Sequence, residues 1–267
     1  MRSNKEENLK ILADEGFTLN TVKDYAVLLL VFNTEFEPFS NPLVRKAVDH
    51  AIDYDTITKA ISPSLAQAHH SMLMPWMSVY TNDIPTYEYD PEKAKALLAE
   101  AGYPEGFSVK QLGTSAQGVT EIQQFEIDFL SKVGIDMQVE LVDTPTFNKR
   151  RNAGEFDMAS RLLPAINPDM ILFSFLHPDN KAPGGLNGAR YDNPKVTALL
   201  EKARAEPDAE RAMEMYTEVQ QIVADEVPYL PTYSQNVYVY WPGKPEVTGV
   251  NINYLGQVDF WDVDIAR

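Results

Sequence analysis

Four histidines and no cysteine bound the side-chain chemistry open to this chain. Without a thiol, disulfides, thiolate nucleophiles and zinc–thiolate sites are excluded. His69-His70 could ligate a metal, but adjacent side chains usually diverge, and a loop pair is the plainer reading. His177-Pro178-Asp179 is similarly weak. The chain has no G-x-S-x-G, no H-E-x-x-H and no phosphate-cradling glycine loop. Its 39 acidic residues make chance carboxylate pairs certain, so a glycosidase-type pair cannot be inferred. With no nucleophile set beside a base, no catalytic signature supports an enzyme, and no metal or cofactor is expected.

Charge narrows the partners. The balance of 23 basic against 39 acidic residues, −16 net, would repel a phosphate backbone unless a basic patch were segregated. Lys149-Arg150-Arg151 is the only basic cluster and reads as a solvated helix end, so no nucleic-acid partner is expected. Arg45 and Asp53 flank one helix and read as anchors to neighbouring backbone. Tyr238, Tyr240 and Trp241 alternate with Val237 and Val239, which describes a buried strand before an aromatic cage.

The elements that must position these groups are those of an ordinary globular chain, with 44% hydrophobic and 23% charged residues. No apolar run approaches the roughly 20 residues of a membrane span. Met1 to Asn8 lacks the apolar core of a signal peptide. A strand is predicted at about 25–33. A helix follows from Pro42, capped by Ser40 or Asn41, with Val44, Ala47, Val48, Ala51 and Ile52 inward. Residues 62–89 read as a long irregular stretch packed along a surface. Asp90-Pro91 opens a helix that Gly102 closes. Next come a strand at 107–112, a helix with the capping box Thr120-x-x-Gln123, and a strand at 137–142. This is a βαβ crossover, and it makes the fold α/β. A short helix (147–152), a strand (156–163), a second irregular region (164–190), helices from Asn193-Pro194 and Asp208, and a β-rich end complete the chain.

Taken in order, several segments resemble the bacterial extracellular solute-binding proteins of family 5, the oligopeptide, dipeptide and nickel receptors of ABC importers. They include Pro42-Leu-Val-Arg45-Lys-Ala-Val-Asp-His-Ala-Ile-Asp53, Gly154-Glu-Phe-Asp157, Asn167-Pro-Asp169, Tyr191-Asp-Asn-Pro194 and Glu226-Val-Pro-Tyr-Leu-Pro231. The most specific is Tyr89-Asp-Pro-Glu-Lys-Ala-Lys-Ala-Leu-Leu-Ala-Glu-Ala-Gly-Tyr-Pro-Glu-Gly-Phe107. The resemblance implies the C-terminal lobe of a two-lobed periplasmic binding protein, type II-like, with a mixed sheet flanked by helices. It also implies a division into a polar lead-in or hinge (1–24), the solute-binding lobe (25–241) and a tail returning toward a missing N-terminal lobe (242–267). The full-length receptor would then be periplasmic or extracellular and membrane-associated. It would capture a peptide or other small molecule and deliver it to an ABC permease. The competing reading is a ligand-sensing domain of a transcription regulator; an uncharacterised hydrolase is the third.

The resemblance also nominates residues. Peptide-binding relatives place a basic residue in the loop before the capping-box helix, where this chain has the uncharged Gly113-Thr-Ser-Ala-Gln-Gly118. Their Trp falls on Leu162 or Leu163. Their amine-binding Asp falls on Ala165 or Ile166, unless a gap brings in Asn167 or Asp169. These departures imply a ligand other than a free peptide. The candidate ligand-binding residues are Thr114, Ser115, Gln117, Leu163, Asn167, Asp169, Asn187 and Arg190, with Trp76 as an outlier.

Overall fold

The computed structural model describes residues 2–3, 11–61, 66–115, 118, 120–164, 167–242, 247–249, 251–252, 258–259 and 264–265. Its main sheet has the order β1-β7-β2-β6-β4-β5, with β3 also paired to β7. These strands are β1 (Arg2–Ser3), β2 (Phe17–Phe32), β3 (Ala66–Ala68), β4 (Phe107–Thr114), β5 (Ile135–Val142), β6 (Met158–Pro164) and β7 (Tyr229–Pro242). β4 runs parallel to β5 and β6, whereas β2 is antiparallel to both β6 and β7. The sheet is therefore mixed, as the resemblance implied.

Period-two alternation in β2 explains how one strand serves two cores. Val27, Leu29 and Val31 enter one hydrophobic cluster, together with Met72, Leu73, Met74 and Met77 from the irregular stretch. Leu30 and Phe32 enter the other. The first cluster is covered by helices α6 (Pro168–Leu176), α7 (Pro194–Ala205) and α8 (Ala209–Glu226). The second lies under α1 (Pro42–Ala51), α2 (Tyr54–Ile61), α3 (Pro91–Glu100) and α4 (Glu121–Ser131). Helix α5 (Thr144–Ala153) buries no side chain fully.

Local capping chemistry accounts for most helix starts. Asn41, not Ser40, caps α1 by accepting from the Leu43 N–H at 2.9 Å. Asp90 caps α3 at the Lys93 N–H, and Thr120 with Gln123 completes both bonds of the expected capping box. Arg45 is an anchor, as read from the sequence. Its guanidinium donates to the carbonyls of Phe39 at 2.6 Å and Glu226 at 2.8 Å.

Two expectations change. Residues 164–190 are not wholly irregular, because α6 lies inside them. Asn167 caps it, Pro168 begins it, and Ile171, Leu172, Phe175 and Leu176 are buried at helical spacing. The dense Pro and Gly punctuation around this turn-rich region masked a short apolar helix. The first long strand also begins at Phe17, well before residue 25. Its first half, Phe17–Val22, gains backbone pairing from residues 237–242 of β7, a partner more than 200 residues away that no local pattern announces.

An irregularity between Val22 and Ala26 separates the halves of this strand pair. Asp24 sits there with φ of 49°. Its N–H donates to Asn236 Oδ1 at 3.0 Å, and its carboxylate accepts from Ser234 Oγ at 2.9 Å. Since Ala26 pairs with Pro164, the last residue of β6, the 17–22 half projects past the end of that strand with β7, whose other edge carries β1.

Candidate functional site

The parallel strands β4 and β5 end in register at Thr114 and Val142, β6 runs on to Pro164, and at this edge opens a concavity of about 570 Å³. In open α/β sheets this carboxyl edge is where ligands bind. Its apolar wall comes from Leu28, Leu112, Ile122, Phe147 and Leu162. Its polar groups are Thr114, Thr120, Gln123, Thr144, Asn148, Arg151, Ser160 and Tyr233. The N-terminal ends of α4 and α5 both reach it through Thr120 and Thr144, and they contribute positive potential.

A buried chain of hydrogen bonds runs under the floor. The Thr120 N–H donates to Gln123 Oε1 at 3.0 Å, which fixes the orientation of that amide. Gln123 Nε2 then donates to Gln111 Oε1 at 2.7 Å. The Gln111 amide hydrogens are thereby turned toward Glu126 Oε2 at 3.2 Å and Ser160 Oγ at 3.1 Å. Glu126, 1% exposed, also faces the Tyr54 hydroxyl at 3.4 Å. Burial pushes its carboxyl up to about 7, against the opposing pull of the Gln111 and Tyr54 hydrogen bonds. Tyr233 is raised too, mainly by burial and further by the nearby Glu126 charge.

The basic run read as one solvated helix end is in fact two different environments. Arg150 is neutralised by a bidentate pair with Glu140, at 2.8 and 3.0 Å. Arg151 lines the cavity instead. Its Nη2 donates to Asn148 Oδ1 at 3.3 Å and its guanidinium lies 5.1 Å from the centre of the Phe147 ring. Its Nε is buried without a hydrogen-bond partner, and among the described residues no carboxylate lies within ion-pair distance. Burial lowers its pKa from the usual arginine value.

The candidates named from sequence divide sharply. Thr114 lines the cavity, with its hydroxyl 3.1 Å from that of Thr144. Ser115 is exposed just past it and extends the strand pairing by donating its N–H to the Val142 carbonyl at 2.7 Å. Gln117, Ala165 and Ile166 lie outside the described residues, as do the side chains of Tyr238, Tyr240 and Trp241 and most of 242–267.

Leu163 faces the core at 2% exposure, while Leu162 is 44% exposed and lines the cavity. Met158, Ser160 and Leu162 share the cavity face of β6, and Leu163 takes the opposite face by alternation. Asn167 is occupied as the cap of α6. Asp169 accepts from Arg204 at 2.9–3.0 Å and from the Tyr216 hydroxyl at 2.9 Å. Asn187 is buried and bonds the backbone of His177 and Tyr191. Arg190 donates to the Ala153 carbonyl at 2.7 Å and pairs with Glu35. None of these five side chains, nor Trp76, is among the residues lining this cavity.

His69 and His70 diverge as adjacent residues should. His69 is buried and bonded to the Leu73 carbonyl at 2.9 Å, and burial lowers its pKa. His70 lines a separate acidic cavity of about 390 Å³ with Asp49, Asp53, Asp55 and Glu88. Among the described residues no group of three or more His, Asp or Glu is arranged to hold a metal. Nor is any described helix long and apolar enough to cross a membrane.

A mixed sheet sandwiched by helices, with an open cleft at the carboxyl ends of its parallel strands, is one lobe of a two-lobed periplasmic binding protein. The chain belongs to the bacterial extracellular solute-binding proteins, family 5, whose middle region it matches over residues 2–183. It is 29% identical over 263 residues to heme-binding protein A of Haemophilus influenzae, covering 96% of this chain and 47% of that protein. It is 27% identical over 271 residues to the dipeptide-binding protein of Escherichia coli, covering 98% and 50% respectively. In three dimensions it resembles the periplasmic binding protein DppA from Helicobacter pylori, solved with the peptide STSA. That likeness has a TM-score of 0.85 and 29% identity, over 100% of this chain and 52% of DppA. The chain thus spans about half the length of the relatives it matches, and those relatives are binding proteins, not enzymes.

Proposed function

We propose that this chain forms one wall of the solute-enclosing cleft of an ABC-importer receptor, which captures a small molecule outside the cytoplasmic membrane and presents it to a permease. The observation that carries this reading is the open cavity at the ends of β4, β5 and β6. Five apolar and eight polar side chains converge there, at the carboxyl edge of the sheet where open α/β folds bind small molecules. Membership of a family of solute receptors supports it, as do relatives described as binding dipeptides, heme and a tetrapeptide. The ribbon of β2 and β7 leaving the sheet beside the cleft suits a connection to an opposing lobe. The N-terminal lead-in, the returning tail and the membrane association are part of the same proposal.

Enclosure decides affinity. A receptor with micromolar Kd holds about −8 kcal/mol, and dividing those contacts between two walls leaves roughly millimolar binding or weaker for one wall alone. The test is native mass spectrometry of the full-length receptor, purified without added ligand, followed by uptake of the co-purified solute in cells lacking the receptor gene. One solute per receptor, with uptake restored by the gene, is the expected result. Chemical turnover of that solute, or uptake unaffected by the gene, would refute the assignment.

A further inference from the structure

Within that proposed receptor function, we infer that Glu126 is a positioning residue for the cleft: whether it carries a proton decides whether Ser160 offers the solute a hydrogen or only lone pairs. The inference deepens the reading above and rests on it.

Glu126 is buried behind the cleft and is not among its lining residues. It reaches the cleft through one buried amide. Gln111, 0% exposed, donates one Nε2 hydrogen to Glu126 Oε2 at 3.2 Å and the other to Ser160 Oγ at 3.1 Å, and Ser160 lines the cavity. The far end of the chain fixes the sense of every bond. The Thr120 N–H can only donate, so Gln123 turns Oε1 toward it at 3.0 Å and Nε2 toward Gln111 Oε1 at 2.7 Å. In this arrangement both Gln111 hydrogens are used, Ser160 accepts, and its own hydrogen is left for the cleft.

An ionised Glu126 fits this arrangement because it only accepts. It takes Gln111 on one oxygen and the Tyr54 hydroxyl, at 3.4 Å, on the other. A protonated Glu126 brings a donor to a place where two others already donate. Turning the Tyr54 hydroxyl away would make room, but among the described residues that hydroxyl has no other acceptor, and a buried donor would be left unsatisfied. Turning the Gln111 amide over instead sets its Oε1 against both Glu126 and Ser160, where it accepts from each. Gln123 turns with it, and Thr120 Oγ1, 3.2 Å from that amide, then accepts from its Nε2. The bond given up is the one from the Thr120 N–H, at the cavity, where water can replace it. Ser160 now spends its hydrogen on Gln111.

The carboxyl titrates where this choice matters. Burial pushes it up to about 7, so both arrangements are populated near neutral pH. Facing it are Tyr54 of α2, Gln111 of β4 and Tyr233 of β7, with Asp49 of α1 beyond Tyr54. Both tyrosines are held neutral, first by burial and then by the Glu126 charge. None of these groups is a cation that would hold Glu126 ionised.

The experiment uses the full-length receptor, labelled with nitrogen-15 glutamine and titrated without solute from about pH 5 to about pH 9. The side-chain amide signals of Gln111 and Gln123, assigned with Gln111→Asn and Gln123→Asn, should move together with one midpoint near 7. They should do the same in Asp49→Asn and stay in place in Glu126→Gln. The solute that co-purifies is then removed, and its Kd is measured by calorimetry over the same range. Its affinity should change about 3- to 10-fold through that midpoint, the worth of one neutral hydrogen bond. Affinity rises with pH for a solute that accepts from Ser160 and falls for one that donates to it. Glu126→Gln and Ser160→Ala should each flatten this profile, and only Ser160→Ala should keep the Glu126 titration of the amide signals. Melting temperatures of the variants control for folding. Amide signals that do not move, a flat wild-type affinity profile, or a pH dependence that survives in Ser160→Ala would overturn the inference and leave the receptor function standing. A receptor that yields no solute would count against the receptor function instead, and this inference would fall with it.

Discussion

Gln123 Nε2 donates to Gln111 Oε1 over 2.7 Å, and this single bond joins the floor of the cleft to the buried carboxyl of Glu126. Gln123 belongs to the first turn of α4 and Gln111 to the middle of β4, so the bond also ties helix to sheet inside the βαβ unit. Its consequences can be measured.

Stability should fall as pH rises from about 4.5 to about 7. Glu126 binds its proton more tightly folded (about 7) than unfolded (4.5), so the stabilising protonated form is fully present only below the lower value. Full ionisation costs on the order of 3 kcal/mol, with no further loss above about pH 7 from this group. Half-buried Asp49, pushed up to about 8 by burial, acts in the same direction. Urea titrations of wild type and Glu126→Gln at pH 5 and 7.5 separate the two, because only the wild type retains the Glu126 share of the slope. Equal slopes in both proteins would refute the assignment.

Leu162→Ala and Leu163→Ala should behave as opposites despite adjacency. Leu163 is enclosed with Val27, Leu172 and Ala159, and its truncation should cost about 2–5 kcal/mol. Leu162→Ala should change stability by no more than about 0.5 kcal/mol and weaken binding of the solute that co-purifies with the full-length receptor. Chemical denaturation and calorimetry of the two variants decide it. A stable Leu163→Ala would mean the register of β6 is wrong.

Removing the Arg45 guanidinium should destabilise the lobe by about 2–4 kcal/mol, since Arg45→Met leaves the carbonyls of Phe39, Glu226 and Val227 without their donor. Arg45→Lys should not rescue it, because one ammonium cannot span the same fork. Binding affinity in the folded fraction should be unchanged, and a specific loss of affinity would contradict its scaffold role.

Gly106→Ala should be among the most damaging single changes. A Cβ there would meet the Gly134 carbonyl oxygen at 1.8 Å, and φ is 77°. Both glycines belong to the close approach that starts β4 beside β5, where the Phe107 N–H donates to the Gly134 carbonyl at 3.2 Å. A loss of about 3 kcal/mol or more is expected in melting or urea curves. A shift below about 1 kcal/mol would show that this contact relaxes easily.

Much of the fold was legible in the residue order, because its signals are local. A cap and the N–H it satisfies lie within three or four residues. Asn41-Pro42, Asp90-Pro91, Thr120 with Gln123, Asn193-Pro194 and Asp208 each start a helix where their chemistry says they should. The βαβ unit and the family membership follow from such runs of spacing. The cleft was not legible in the same way. Alternation along β6 sends adjacent residues to opposite faces, so a one-residue uncertainty in alignment exchanges a cavity wall for the core. Asp169, Asn187 and Arg190 look available in sequence, but partners 35, 10 and 37 residues distant consume them. Arg150 and Arg151 are equivalent as letters. Only tertiary structure brings Glu140 to the first and leaves the second facing the cavity, since satisfaction of a charge depends on which strand the fold sets beside it.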